Sequence, residues 1–207
     1  MLKRQKITSP KPQQLLERGI LNKWHDKTFD SFTGDPDVLK SLKKYVKNSN
    51  KARKDGIGLF MYGPYGVGKT LLANVILKEL LAQGYTVRMI TLSTLVTMFT
   101  GSWYSDEVRN EFLEITRQVD FLGIDDLGKE FKGSTDLGVK VFDNIVRYRL
   151  QSNLPIIFTA NISPKELSDY YSASTSSMLN EMCAVVQVTG DDHRSSFRER
   201  NRSIIGK

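Results

Sequence analysis

One cysteine, Cys183, and two histidines, His25 and His193, are all that this 207-residue chain brings to thiol or imidazole chemistry. A single cysteine excludes an internal disulfide, and one Cys with two distant His cannot assemble a conventional zinc site. Cys183 is therefore expected to fill core. No apolar run approaches the roughly 20 residues that cross a bilayer. The start, "MLKRQKITSPKPQQLLERG", is basic but lacks the apolar centre of a secretory signal. The expectation is a cytoplasmic protein with no membrane partner. Internal repeats and low-complexity tracts are missing too.

What is present is an ordinary globular balance, 40% apolar and 26% charged. The length suffices for one well-buried domain with a small appendage. Thirty Lys+Arg against 23 Asp+Glu give a formal charge of +7. A surplus of this size suits a polyanion such as nucleic acid, although many basic domains bind none. The surplus is uneven, crowding residues 1–54 (notably "KSLKKYVKNSNKARK") and the tail "HRSSFRERNRSIIGK".

Residues 1–54 read as a basic segment with short helices, a candidate partner-binding arm. Ser9 is a candidate cap for a helix through "QQLLERG", stopped by Gly19. Asp35 and Pro36 open a second helix, with Val38, Leu39, Leu42, Tyr45 and Val46 at helical spacing. "NSNKARKDG" reads as a polar connector. Residues 55–207 alternate strand and helix. The strands are "GLFMYG", "TVRMITL", "VDFLGIDDLG", "LPIIFTAN" and "AVVQVTG", with "SPKEL" opening a helix after the fourth. Such spacing indicates a parallel, doubly wound α/β sheet.

The first of these strands runs into Gly63-Pro64-Tyr65-Gly66-Val67-Gly68-Lys69-Thr70, which fits G-x-x-x-x-G-K-[ST], with Leu71 next in the following helix. The glycines let backbone N–H groups turn inward around phosphates, and the helix adds its positive N-terminal end. Lys69 is expected to reach the terminal phosphates of ATP and the Thr70 hydroxyl to ligate Mg²⁺. An apolar strand ending in two carboxylates, "FLGIDD", supplies the acids such a site needs, because like charges in a buried row need a compensating cation. Asp125 is expected to hold Mg²⁺ through water. Asp126 is expected to act as base or water-positioner, with a shorter reach than Glu. Asn161 ends "IIFTAN" and either orients water at the γ-phosphate or caps the next helix, in competition with Ser163.

With these residues assembled, the chain resembles AAA+ ATPases of the bacterial helicase-loader group, DnaC/DnaI-like, with IstB-like transposition ATPases as relatives. "GPYGVGKTLLANVI", "FLGIDDLGKE", "NIVRYRLQSNLPIIFTAN" and "GDDHR" carry the resemblance over about residues 15–195. It implies a P-loop three-layer sandwich on a five-stranded parallel sheet, with a reduced or absent lid. It matches Asn161 to sensor 1 and Arg194 to the sensor 2 arginine. It also implies single-stranded DNA and a replicative DNA helicase as partners, and an extra helix after the second strand that lines a DNA path. There, Trp103 and Tyr104 either stack on bases or pack.

Two departures stand out. Where relatives place a trans-acting arginine, Ser177-Met178-Leu179 hold none, leaving Arg147 or Arg149 as substitutes. Any homo-oligomer thus has no identified arginine finger. Only about 50 residues precede the core, so helicase docking uses that basic segment or another protein, or does not occur. The expected activity is a weak ATPase, switched by DNA or a partner, in DNA replication. The alternatives are an IstB-like transposition helper on duplex DNA and a non-hydrolysing module stabilised by ATP.

Overall fold

The computed structural model describes residues 9–128 and 136–192. The N-terminal part builds α1 (Pro12–Glu17), two 3₁₀ turns (Asn22–Trp24 and Phe29–Ser31), α2 (Pro36–Lys47) and α3 (Ser49–Asp55). Strands and helices then alternate. They are β1 (Gly58–Tyr62), α4 (Lys69–Ala82), β2 (Val87–Thr91), α5 (Leu92–Gly101), α6 (Asp106–Arg117) and β3 (Phe121–Leu127). After them come α7 (Asp136–Gln151), β4 (Ile156–Ala160), α8 (Leu167–Tyr170), α9 (Ala173–Met182) and β5 (Cys183–Gln187).

The five strands form one sheet in the order β2-β3-β4-β1-β5, every neighbouring pair parallel. This is the three-layer α/β sandwich that the sequence predicts. Parallel strands buried on both faces need near-continuous apolar runs, and β4 has one, with every residue buried. Val38, Leu42 and Val46 of α2 join Leu72, Ile76 and Leu77 of α4 in one core layer. Residues of α5, α6, α7 and α9 pack with Ile124 and Phe158 in the other. The N-terminal residues from Leu15 onward therefore share the core of the sheet. Buried Cys183, its thiol pKa raised by desolvation, is core filling as expected.

Three local expectations are corrected. The cap of α1 is Lys11 rather than Ser9, because Pro12, with its fixed φ, occupies the first helical position. The stretch expected to be a connector is α3. Its window has one apolar residue and hence no readable period, but Ala52 and Ser49 are buried, and the Ser49 hydroxyl donates to Gln83 at 2.6 Å. Gly56, left-handed at φ 72°, ends it. After β4, neither Asn161 nor Ser163 caps a helix. Residues 164–166 form a turn, and the four-residue α8 starts from Glu166.

Arg149 of α7 is fully buried. Its guanidinium donates to the carbonyls of Thr116, Val119, Asp120 and Pro155 at 2.9–3.3 Å. It thereby ties the end of α6 and the entry to β3 to the entry of β4. Asp120 in the same corner accepts from Arg53 Nε at 2.8 Å and from Thr86 N at 3.0 Å. Burial raises the Asp120 pKa, but the Thr86 N–H and the Arg53 guanidinium outweigh it and hold the carboxyl below its usual range. A carboxyl whose folded pKa is depressed stabilises the fold above its unfolded value, and that stability disappears as pH falls through the folded value. Asp120→Asn is thus expected to lower stability by about 1 kcal/mol at pH 7. The gap to the parent should close below pH 4, as read from urea midpoints at pH 7 and pH 3.

Candidate nucleotide site

The sheet order explains the site. Strands β1, β4 and β3 are adjacent and parallel, so their carboxyl ends open onto one crevice. The loop Gly63–Gly68 leaves β1, Asn161 follows β4, and Asp125 and Asp126 lie near the end of β3. Three segments distant in sequence thus meet within hydrogen-bond reach.

Backbone conformation favours glycine at Gly66 and Gly68, and both lie close against neighbouring side chains. Both have left-handed φ values, 82° and 96°. A Cβ on Gly66 would lie 1.7 Å from Asp192 Oδ1, and one on Gly68 would press at 3.1 Å on the Phe32 ring. Phe32 belongs to the N-terminal segment, and nothing in its sequence setting marks it as a wall of the loop. Val67 is buried and Leu71 packs against the same core, so both anchor the loop to the layer beneath. Tyr65 is 54% exposed.

Lys69 is buried, and its ammonium donates to Gly63 O at 2.8 Å, Pro64 O at 2.6 Å and Asn161 Oδ1 at 2.9 Å. The Asn161 amide reaches on, donating from Nδ2 to Asp126 Oδ1 at 3.1 Å. The Asn161 side chain thus faces the loop and not the next helix. The Thr70 hydroxyl donates to Asp125 Oδ1 at 2.9 Å. Thr159 Oγ1 donates to the same oxygen at 2.5 Å and accepts from the Asp126 N–H at 2.9 Å.

Thr159, 1% exposed, carries no mark in the sequence, yet it fastens both acids to β4. Its position two residues before Asn161 is the signal that could have found it. Asp126 has φ 67°, left-handed for a non-glycine residue, at a register shift between Ile124 and Leu127. Such outliers persist where the surroundings hold them, as Thr159 and Asn161 do here.

A hydroxyl and a carboxylate 2.9 Å apart are a hard-oxygen donor pair that fits Mg²⁺. Among the described residues, no group of three or more His, Cys, Asp or Glu gathers to hold a metal. Two protein donors would leave coordination positions to phosphate and water, the usual habit of this ion.

The remaining sequence candidates are dispersed. Arg194 lies outside the described residues. Arg149 is excluded as a trans-acting arginine because its guanidinium is spent on four buried carbonyls. Arg147 lies at the surface beside α9, 3.2 Å from Asp143 Oδ2 and 3.5 Å from Ser174 Oγ. Trp103 and Tyr104 follow α5, 60% and 88% exposed, with the Trp103 ring edge-on to Phe99 at 5.7 Å. Trp103 is thus partly packed, and Tyr104 projects into solvent. Among the described residues, no helix is long and apolar enough to cross a membrane.

Comparison with known proteins supports the fold. The family model of the bacterial DnaA ATPase domain matches residues 23–202. The replicative helicase loader DnaI of Bacillus subtilis (strain 168) is 28% identical over 137 residues, 66% of this chain and 43% of DnaI. The chain thus spans less than half the length of that relative. A crystal structure of the DnaC helicase loader superposes with TM-score 0.70 at 21% identity, over 82% of this chain and 100% of that one. The replication initiator DnaA bound to AMPPCP and single-stranded DNA gives 0.66 at 21% identity, over 89% and 56%. The kinship with helicase loaders expected from the motifs is borne out, and the chain belongs to the bacterial DnaA ATPase-domain family of AAA+ proteins.

Proposed function

We propose that this chain is an ATP-hydrolysing switch of DNA replication, resembling the helicase loaders, which grips single-stranded DNA and a replicative helicase when ATP is bound. The observation that carries the reading is the Asn161 amide, which touches both Lys69 Nζ and Asp126 Oδ1. One side chain thereby joins the group that meets the terminal phosphates to the acid that meets the attacking water.

In this reading the loop N–H groups and the N-terminal end of α4 bind the phosphates. Lys69 exchanges its carbonyl partners for phosphate oxygens. Thr70 and Asp125 would hold Mg²⁺, which would supply positive charge against the phosphates. Asp126 accepts a proton from water, and Asn161 orients that water. Turnover is slow, because Ser177-Met178-Leu179 supply no arginine to a neighbouring subunit. Similarity to the helicase loader DnaI, and to the initiator DnaA bound to AMPPCP and single-stranded DNA, supports the choice of partners. Exposed Tyr104 and Trp103 supply a stacking surface for bases.

Phosphate release with and without single-stranded DNA tests this reading. Asp125→Ala is expected to abolish release. Trp103→Ala with Tyr104→Ala is expected to weaken single-strand binding about ten-fold, in line with one stacked base. Turnover that persists in Asp125→Ala would remove the nucleotide chemistry. Failure of any helicase to co-purify in ATP, combined with ATP-independent DNA affinity, would remove the loading role.

A further inference from the structure

Among the described residues, helices α2 and α3 carry a dense run of positive charge. Helices α2 and α3 together carry seven basic residues against two acids, Asp37 and Asp55, a net of +5 in a chain whose total is +7. Lys40, Lys43, Lys44, Lys47, Lys51 and Lys54 are all exposed. Val38, Leu42 and Val46 point the opposite way, into the core against α4. At 100° per residue, the four lysines of α2 fall within an arc of about 100° on the solvent side. Of these six lysines only Lys43 has a carboxylate partner among the described residues, Asp30 at 3.3 Å, and that pair is largely solvated. Asp35 and Asp37 confine the negative charge to the start of α2.

We propose that this lysine face of α2 and α3 holds the phosphate backbone of duplex DNA without reading its sequence. Lysine is a compact, hydrated point charge, suited to phosphate and depleted from protein–protein interfaces, where aromatic residues are enriched. None of the exposed large apolar side chains lies on α2 or α3, so the face lacks the anchors that a protein partner uses. The same lack argues against a single strand, whose sites combine charge with stacking rings. Insertion into a membrane is excluded by orientation, because the apolar face of α2 is used in the core and cannot enter lipid. Lys40, Lys44 and Lys47 span about 10 Å of helix axis. Phosphates of one strand succeed one another about every 3.4 Å of duplex axis, so three of them fall within that reach.

The face belongs to the α2/α4 layer, whereas Trp103 and Tyr104 belong to the α5/α6 side of the sheet. A duplex on one side and a single strand on the other would seat the protein at a junction between the two. The duplex contact itself uses no residue of the nucleotide site, so it stands or falls separately from the reaction proposed above.

The test is the salt dependence of binding to a 30-base-pair duplex, measured by fluorescence anisotropy on the full chain. Neutralising Lys40, Lys44, Lys47 and Lys51 to Gln should weaken binding at least ten-fold at 50 mM salt. It should also flatten the slope of log affinity against log salt by about 0.9 for each phosphate that the variant no longer neutralises. ATP affinity should not change. Replacing the same four residues by Arg should restore duplex binding, which controls for folding. Trp103→Ala with Tyr104→Ala should leave it intact. The proposal is overturned if the Gln variant keeps duplex affinity within two-fold with an unaltered slope. It is equally overturned if that variant loses helicase capture or single-strand affinity alone.

Discussion

Lys69→Ala is expected to lower ATP turnover at least 100-fold, a catalytic loss second only to the abolition expected of Asp125→Ala. The magnitude follows from removing a preorganised cation from a partly dry site where phosphate charge develops, a loss of about 3–4 kcal/mol in transition-state stabilisation. Lys69 is buried beneath the loop and held by three oxygens, so its position is set before any phosphate arrives. The variant also frees the Asn161 amide, which then steadies Asp126 alone. Steady-state phosphate release and equilibrium binding of a fluorescent ATP analogue measure the two losses separately. Turnover within five-fold of the parent, at an unchanged melting temperature, would remove Lys69 from the reaction.

The largest expected loss of stability lies far from the chemistry. Arg149→Met should destabilise the fold by about 3–5 kcal/mol, the cost of stranding the partners of a buried charge. Four carbonyls from α6, the entry to β3 and the entry to β4 would lose their donor together. For a domain of this size each kcal/mol moves the melting temperature by about 2–4 °C, so a fall on the order of 10 °C is expected. Arg149→Lys should recover only part of it, because an ammonium has three donors and no planar fork. Burial lowers the pKa of this guanidinium, the Arg53 charge adds to that, and the Asp120 carboxylate opposes both. A melting temperature unchanged in Arg149→Met would show that the carbonyls find other donors.

The two arginines show how far the sequence alone could be read. "NIVRYRLQS" places Arg147 and Arg149 on one helix, but not which faces water and which faces the sheet. The apolar period of α7 marks that face only loosely, and the decisive partners lie about thirty residues away, in α6 and the start of β3. The loop residues Gly63 to Thr70 and the pair Asp125–Asp126 were legible because phosphate chemistry imposes residue types at fixed local spacing. Thr159 and Phe32 were not, since a threonine in an apolar strand and a phenylalanine in a polar stretch are ordinary on local grounds. Their importance arises from the sheet order, which sets β4 between β3 and β1, and from the path of residues 20–34. The helix α3 stayed hidden for a related reason: its stability comes from the burial of Ser49 and Ala52 and from Arg53 reaching Asp120, none of it periodic.

Lys78 sits in the middle of α4, and its ammonium donates to the carbonyls of Trp24, His25 and Lys27 at 2.6–3.0 Å. A few residues further on, the chain delivers the Phe32 ring onto Gly68. The length of chain between these two anchorages works as a bridle on the phosphate loop, fastened to the very helix that the loop begins. Shortening the protein from its amino end past residue 34 would thus remove a wall of the pocket and slacken the bridle, leaving the motif intact in sequence but unsupported in space.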